Sequence, residues 1–256
     1  MSVVPFAAWS ERLNDACSSC ALFRTAIALQ ETPSTQDAPE TRAAPTGTVV
    51  TAWRQTAGRG RFGRVWVDRA TMGLAATFVV DRQAAERLAL AGAVAAADAA
   101  ESVLGARVGI KWPNDIVVGG RKLAGVLIEA TSARALVGIG MNITHPSFDG
   151  ELESRATSLA MLGTRVDRVE VLCLLVKALD RALVASDAHL VEQFLERDAL
   201  RGTRALFSTP TGPVEGEVRS VDPMRGLVLR TESGERFLPA NSTSVAEWGE
   251  KRAAQR

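Results

Sequence analysis

Residues Gly58 to Arg64 read Gly-Arg-Gly-Arg-Phe-Gly-Arg. Glycines at 58, 60 and 63 let backbone N–H groups approach an anion and permit positive φ. Arg59, Arg61 and Arg64 carry planar guanidinium forks, which match carboxylate and phosphate oxygens two at a time. An RNA-binding segment of the RGG type would come in many copies on a basic chain. Here one copy sits in a chain whose formal net charge is +1. The GxxxxGK[ST] phosphate loop is absent, which excludes the simplest nucleotide site.

Three further stretches carry chemistry. In Lys111–Asp115 (KWPND), Pro113 ends a strand and aims Asn114 and Asp115 out of the sheet. An amide such as Asn114 both donates and accepts, so it can read an adenine edge, although a Pro-Asn-Asp turn alone is only a turn. Lys122–Glu129 (KLAGVLIE) puts a lysine at the head of an apolar strand, with Gly125 behind it. That suggests a cation facing a pocket; the plainer alternative is a charged gatekeeper at a strand edge. Gly138–Asn142 (GIGMN) leaves room beside two strand glycines for a flat group, with Asn142 at the rim. No nucleophile pattern accompanies them. The only histidines are His145 and His189. Cys17 and Cys20 form a lone CxxC with Cys173 far away, neither a disulfide framework nor a zinc set.

The elements that must position these residues follow from periodicity. Residues 6–20 have helical spacing, Phe23–Gln30 suits a strand, and ETPSTQDAPE reads as loop. Thr48–Trp53 is β-branched and strand-like, whereas QTAGRGRFGR has no periodicity and reads as a mobile loop rather than an element. Strands are expected at 73–80, 108–112 and 135–143, a helix at 82–104, and a hairpin over 116–129 turning at Gly119-Gly120. Apolar residues recur at helical spacing from Arg165 to about Leu200. Beyond Gly202 short alternating segments are separated by Pro, Gly and Asp, the texture of a small bent β-barrel. These readings divide the chain into residues 1–200 and 201–256.

Taken in order, Ser34-Thr35, GRGRFGR, KWPND, KLAG and GIGMN closely resemble the biotin protein ligase family. The resemblance covers about residues 23–145 by motif and, less sharply, 202–248. It implies an α+β fold, a mixed sheet flanked by helices with a small C-terminal SH3-like barrel. The implied activity is formation of biotinyl-5′-AMP from biotin and ATP, then transfer of biotin to a lysine of a biotin carboxyl carrier protein. By the same resemblance, Ser34, Thr35 and Gln55 meet the biotin ureido ring, together with Gln36, where the family carries Asn. Gly58, Arg59, Gly60 and Arg61 belong to the loop over the biotin tail and phosphate, and Trp66 packs on the valeryl chain. Lys122, followed by Gly125, contacts the biotin carboxylate and α-phosphate. Asn114 and Asn142 lie on the adenine side, and Asp115 holds metal or polarises the acceptor lysine. Arg59, Arg61, Lys122 and Asp115 are thus the expected catalytic set. Mg²⁺ is expected on the polyphosphate, with no ligands assigned.

A chain of 256 residues with 46% hydrophobic and 23% charged residues is ordinary for a globular protein, and its near-zero charge draws it to neither nucleic acid nor membrane. Leu88–Ala100 is too short and polar to span a bilayer, and the N-terminus lacks a basic signal-peptide region. A cytoplasmic monomer or weak homodimer is expected. About 22 residues precede the first strand, too few for a helix-turn-helix, so no DNA binding is expected. The rivals are a lipoate ligase or octanoyl transferase of similar fold, and a non-catalytic binding protein, which would lack the cations.

Overall fold

Alanine and glycine decide how closely the helical layer approaches the sheet. The computed structural model describes residues 4–67 and 71–249. A 3-10 turn at Phe6–Ala8 leads into α1 (Trp9–Ser18), β1 (Thr25–Thr32), α2 (Pro39–Ala43) and β2 (Thr48–Gln55). A short ribbon follows, β3 (Gly58–Arg59) and β4 (Val65–Trp66), and then β5 (Gly73–Asp81) and α3 (Ala85–Leu104). Next come β6 (Gly109–Lys111), β7 (Asp115–Val118), β8 (Arg121–Ala130) and β9 (Arg134–Asn142), followed by α4 (Arg168–Val184) and α5 (Asp187–Leu195). The alanine-rich face of α3 lies on β8 so tightly that a Cβ at Gly92 would stand 2.8 Å from a Val126 methyl. Small side chains along that face permit the approach.

The seven-stranded sheet runs β1-β2-β5-β9-β8-β7-β6, with β1 parallel to β2 and every other pair antiparallel. One core joins α1, α3 and α4 to this sheet through Trp9, Phe23, Phe78, Leu88 and Leu172, all fully buried. A second, antiparallel sheet holds β10 (Arg204–Thr209), β11 (Gly212–Asp222), β12 (Gly226–Thr231), β13 (Gly234–Pro239) and β14 (Ser244–Trp248). Its order is β13-β12-β11-β10-β14, an antiparallel sheet consistent with the expected SH3-like module, and among the described residues no pairing of β13 with β14 closes it into a ring. The architecture is the expected α+β: a mixed sheet flanked by helices with a small all-β piece at the C-terminal end.

Three local expectations are corrected. The segment 55–64, read as a structureless loop, ends β2 at Gln55 and then forms β3 and the tip of the β3–β4 ribbon; Phe62 at that tip sits at φ 57°, ψ 36°, beside Gly63 at φ 71°. The helical run from Arg165 is two helices, because Ser186 accepts from the His189 N–H at 3.3 Å and starts α5 as an N-cap. Inside the stretch read as loop, Pro39 opens the five-residue α2 as its first residue, where the missing N–H costs nothing.

Candidate active site

The outer face of the large sheet forms the floor of a cavity of about 910 Å³, walled by the ribbon, by residues 148–156 and by β14 of the small sheet. That volume lies near the top of the range of about 300–1,000 Å³ usual for small-molecule sites. Of the residues expected in the site, all but Gly58 line this cavity. Gly58 is buried behind the wall, and a side chain there would collide with the Gln55 amide and the Trp66 carbonyl.

One end of the cavity is neutral. The turn after β1 brings Ser34, Thr35 and Gln36 under cover, each 5% exposed or less. The Thr35 N–H donates to Gln55 Oε1 at 2.9 Å, the Thr77 hydroxyl donates to Thr35 Oγ1 at 2.9 Å, and the Thr41 hydroxyl donates to the Thr35 carbonyl at 2.6 Å. These bonds tie the turn to β2, β5 and α2 and fix the direction of the Gln55 amide. Gln36 is different: its Oε1 and Nε2 are both buried, and neither has a partner among the described residues. An unpaired buried amide costs about 1–3 kcal/mol, which a ligand offering one donor and one acceptor would recover. Gly138 makes its position possible, since a Cβ there would stand 2.7 Å from Gln36 Oε1.

The other end is charged. Lys122 Nζ lies 2.5 Å from Asp115 Oδ1 and Lys111 Nζ lies 3.0 Å from Oδ2, so two strands of the β6–β7–β8 meander place their cations on one carboxylate. Burial alone would push the Asp115 carboxyl up; Lys122 and Lys111 outweigh it and hold the group below its ordinary value. Gly125, opposite Asp115 in the register, leaves the room in which Lys122 folds back, for a Cβ would stand 2.8 Å from its Nζ. Arg61 donates to Asn114 Oδ1 at 3.3 Å. Burial lowers its pKa, with nearby Asp115 opposing the shift. Asn114 itself donates to the Val126 carbonyl, and Asn142 donates to the Thr157 carbonyl at 3.0 Å.

Between the two ends lies Trp66, with Lys122 Nζ 5.7 Å from its ring centroid. The flat group for which GIGMN leaves room is in part the chain's own. A Cβ at Gly140 would stand 2.6 Å from the Trp66 indole, whose N–H has no partner among the described residues.

Arg61 and Lys122 therefore converge near Asp115. Arg59 reaches the same cavity from its rim, but its guanidinium is held by Asp37 and Glu129. Asp115, expected to hold metal or polarise a lysine, has an ammonium group on each oxygen and stands here as a clamp between two cations. The motif reading passed over Lys111, although it lies inside KWPND. It also missed Trp248 of β14, whose ring centroid is 5.8 Å from Lys111 Nζ. A lone tryptophan near the end of an irregular β-rich segment gives no signal that it packs against a lysine more than 130 residues earlier.

Comparison with known proteins gives one consistent picture. Residues 27–144 match the biotin/lipoate A/B protein ligase family. The biotin--[acetyl-CoA-carboxylase] ligase of Paracoccus denitrificans is 34% identical over 210 residues, which cover 75% of this chain and 87% of that one. The bifunctional ligase/repressor BirA of Bacillus spizizenii is 32% identical over 207 residues, 75% of this chain. The chain spans 64% of that relative's length, just under two thirds. Among solved structures, the biotin protein ligase of Aquifex aeolicus in complex with biotin and ATP superposes with a TM-score of 0.79 at 27% identity, covering 87% of this chain and 99% of that one.

Proposed function

The chain belongs to the biotin/lipoate A/B protein ligase family, and from that premise we propose that it is a biotin–protein ligase. On this reading it makes biotinyl-5′-AMP from biotin and ATP and passes biotin to a lysine of a biotin carboxyl carrier protein. The observation that carries the reading is the two-ended cavity. A buried neutral end whose Gln36 amide is unpaired among the described residues suits a urea, and an end with Arg61, Lys111 and Lys122 suits a carboxylate and a phosphate. A neutral head and an anionic tail describe biotin, and Trp66 lies where a hydrocarbon chain would join them.

In the first step a biotin carboxylate oxygen attacks the α-phosphorus of ATP and pyrophosphate leaves. Both reactants are anions, so the barrier falls when fixed cations stand where they meet. Arg61 and Lys122 are those cations, with Ser34, Thr35, Gln36 and Gln55 holding the ring. Asn114 and Asn142, fixed by their bonds to main-chain carbonyls, form the nucleotide side. In the second step the uncharged acceptor amine attacks the acyl carbon and AMP leaves, without any covalent bond to the enzyme. Residues 1–200 would carry this chemistry, with 201–256 closing the wall through β14.

Among the described residues no group of three His, Cys, Asp or Glu side chains is arranged to hold a metal ion. The carboxylate nearest the cations, Asp115, already faces two ammonium groups. The described residues thus offer no cage of their own for Mg²⁺, which would arrive on the polyphosphate. Among the described residues no helix is long and apolar enough to cross a membrane. We take the protein to act in the cytoplasm, as a monomer or weak homodimer.

The test is incubation of the chain with ATP, Mg²⁺, biotin and a biotin carrier domain, read by mass spectrometry of the carrier. Addition of one biotin is expected, and biotin rather than lipoate should drive exchange of label between pyrophosphate and ATP. An unmodified carrier, or exchange driven by lipoate instead, would overturn the reading.

A further inference from the structure

Arg59 lies in the same arginine-rich ribbon as Arg61, yet the two are used differently. Its Nε and Nη2 reach Asp37 at 2.7 and 3.0 Å, and its Nη1 and Nη2 reach Glu129 at 2.8 and 2.9 Å. Both edges of the guanidinium are thus filled by carboxylates, four contacts from a group with five N–H donors. Asp37 directly follows Gln36, and Glu129 lies near the end of β8, so the two acids stand beside the neutral end and outside the residues that line the cavity. Arg61, two residues on, lies at the charged end against Asn114. A phosphate could recruit Arg59 only by displacing one of these carboxylates.

We propose that Arg59 is a positioning residue: with Asp37 and Glu129 it straps the β3–β4 ribbon to the head-group end of the cavity, which holds Trp66 over the floor and leaves Arg61 to meet the substrate anions. The inference rests on the ligase reading for what the ribbon covers, while the strap itself is a matter of geometry. Two consequences separate it from a direct role on phosphate. A strap sets the fraction of molecules whose ribbon is ready to bind, so loosening it raises the apparent Kd and KM for biotin. A cation acting only on the transition state would change kcat instead. The second consequence concerns the acids. Removing them reproduces the loss of a strap, whereas it would free a phosphate-binding arginine for its work.

The experiment compares wild type with Asp37→Asn/Glu129→Gln, in which every tryptic site is retained. Exposed ion pairs are individually modest, so two of them together should speed tryptic cleavage within 59–64 of the unliganded chain by about fivefold to tenfold. In ATP–pyrophosphate exchange the biotin KM should rise by a similar factor, with kcat within about twofold. Arg59→Lys should recover part of the KM loss seen in Arg59→Ala. Arg42→Ala removes the Arg42 contacts to the Asp37 carboxylate at 3.3 Å and to the Asp37 carbonyl at 3.2 Å, leaves both carboxylates on Arg59, and should leave both readouts unchanged. Unchanged cleavage in the double variant would overturn the strap. So would normal or faster turnover there combined with a kcat loss in Arg59→Ala. If wild type shows no biotin-driven exchange the ligase reading fails, and the cleavage rates still decide the strap.

Discussion

The two ends of the cavity solve opposite problems. At the neutral end, Thr35, Gln55 and Thr77 are bonded to one another and to the sheet, while Gln36 keeps a buried amide without a partner among the described residues. That end is built ahead of its ligand and bears a standing cost until the ligand arrives. At the charged end two of the cations are compensated in advance, since Lys111 and Lys122 share Asp115, while Arg61 donates to the neutral amide of Asn114. An incoming anion there exchanges one partner for another instead of filling a vacancy. Uncompensated cations crowded together in partial burial would repel and lose hydration. One end therefore selects by hydrogen-bond pattern, and the other holds its charge in reserve for the reaction.

The largest effect should come from the charged end. Lys122→Ala removes a cation from the point where both substrate anions meet, and about 10²–10³ should be lost from the rate of adenylate formation. Biotin binding measured without ATP should change much less. Equal losses in both would show that the two ends are not separable and would break the comparison. The neutral end responds differently. Gln36→Met keeps the side-chain length and deletes two buried polar atoms that are unpaired among the described residues. The unliganded chain should become more stable by about 1–2 kcal/mol, while the biotin KM rises about tenfold with the ATP KM unchanged. Calorimetry with and without biotin checks both halves. A destabilised variant would mean that the amide has partners in the free protein.

Much of this contrast was legible in sequence, for a physical reason. Glycines and charges in strands are locally unfavourable, so Gly125, Gly138, Gly140 and Lys122 stand out against an apolar, β-branched background. What could not be read was what fills the spaces they leave. GIGMN implied room for something flat; the Trp66 indole and the Gln36 side chain occupy it, brought there from distant segments. The ribbon was misread for a related reason. Its strands are two residues each, too short for any periodicity, and the ion pairs of Arg59 come from positions 22 and 70 residues away. The break before α5 was different, since Ser186 is an ordinary capping residue three positions before the amide it binds. There the apolar spacing on either side outweighed a local signal that was present.

The smallest effect sharpens the comparison through pH. The folded chain holds the Asp115 carboxyl below its ordinary value because Lys122 and Lys111 face it. Between that lowered value and the ordinary aspartate pKa of about 3.9, the unfolded chain binds the proton and the folded chain does not. The stabilisation is therefore complete above the ordinary value and is lost as pH falls through the folded one. Asp115→Asn lacks this contribution at every pH. The gap in Tm between wild type and Asp115→Asn should be constant from pH 5 to 8 and should narrow on acidification below about pH 4. Gln36→Met should keep its advantage over wild type across the same range, since no titrating group touches that amide in the contacts described above. A Gln36→Met advantage that follows pH as Asp115 does would mean that the two ends share one electrostatic state, and the division between them would have to be given up.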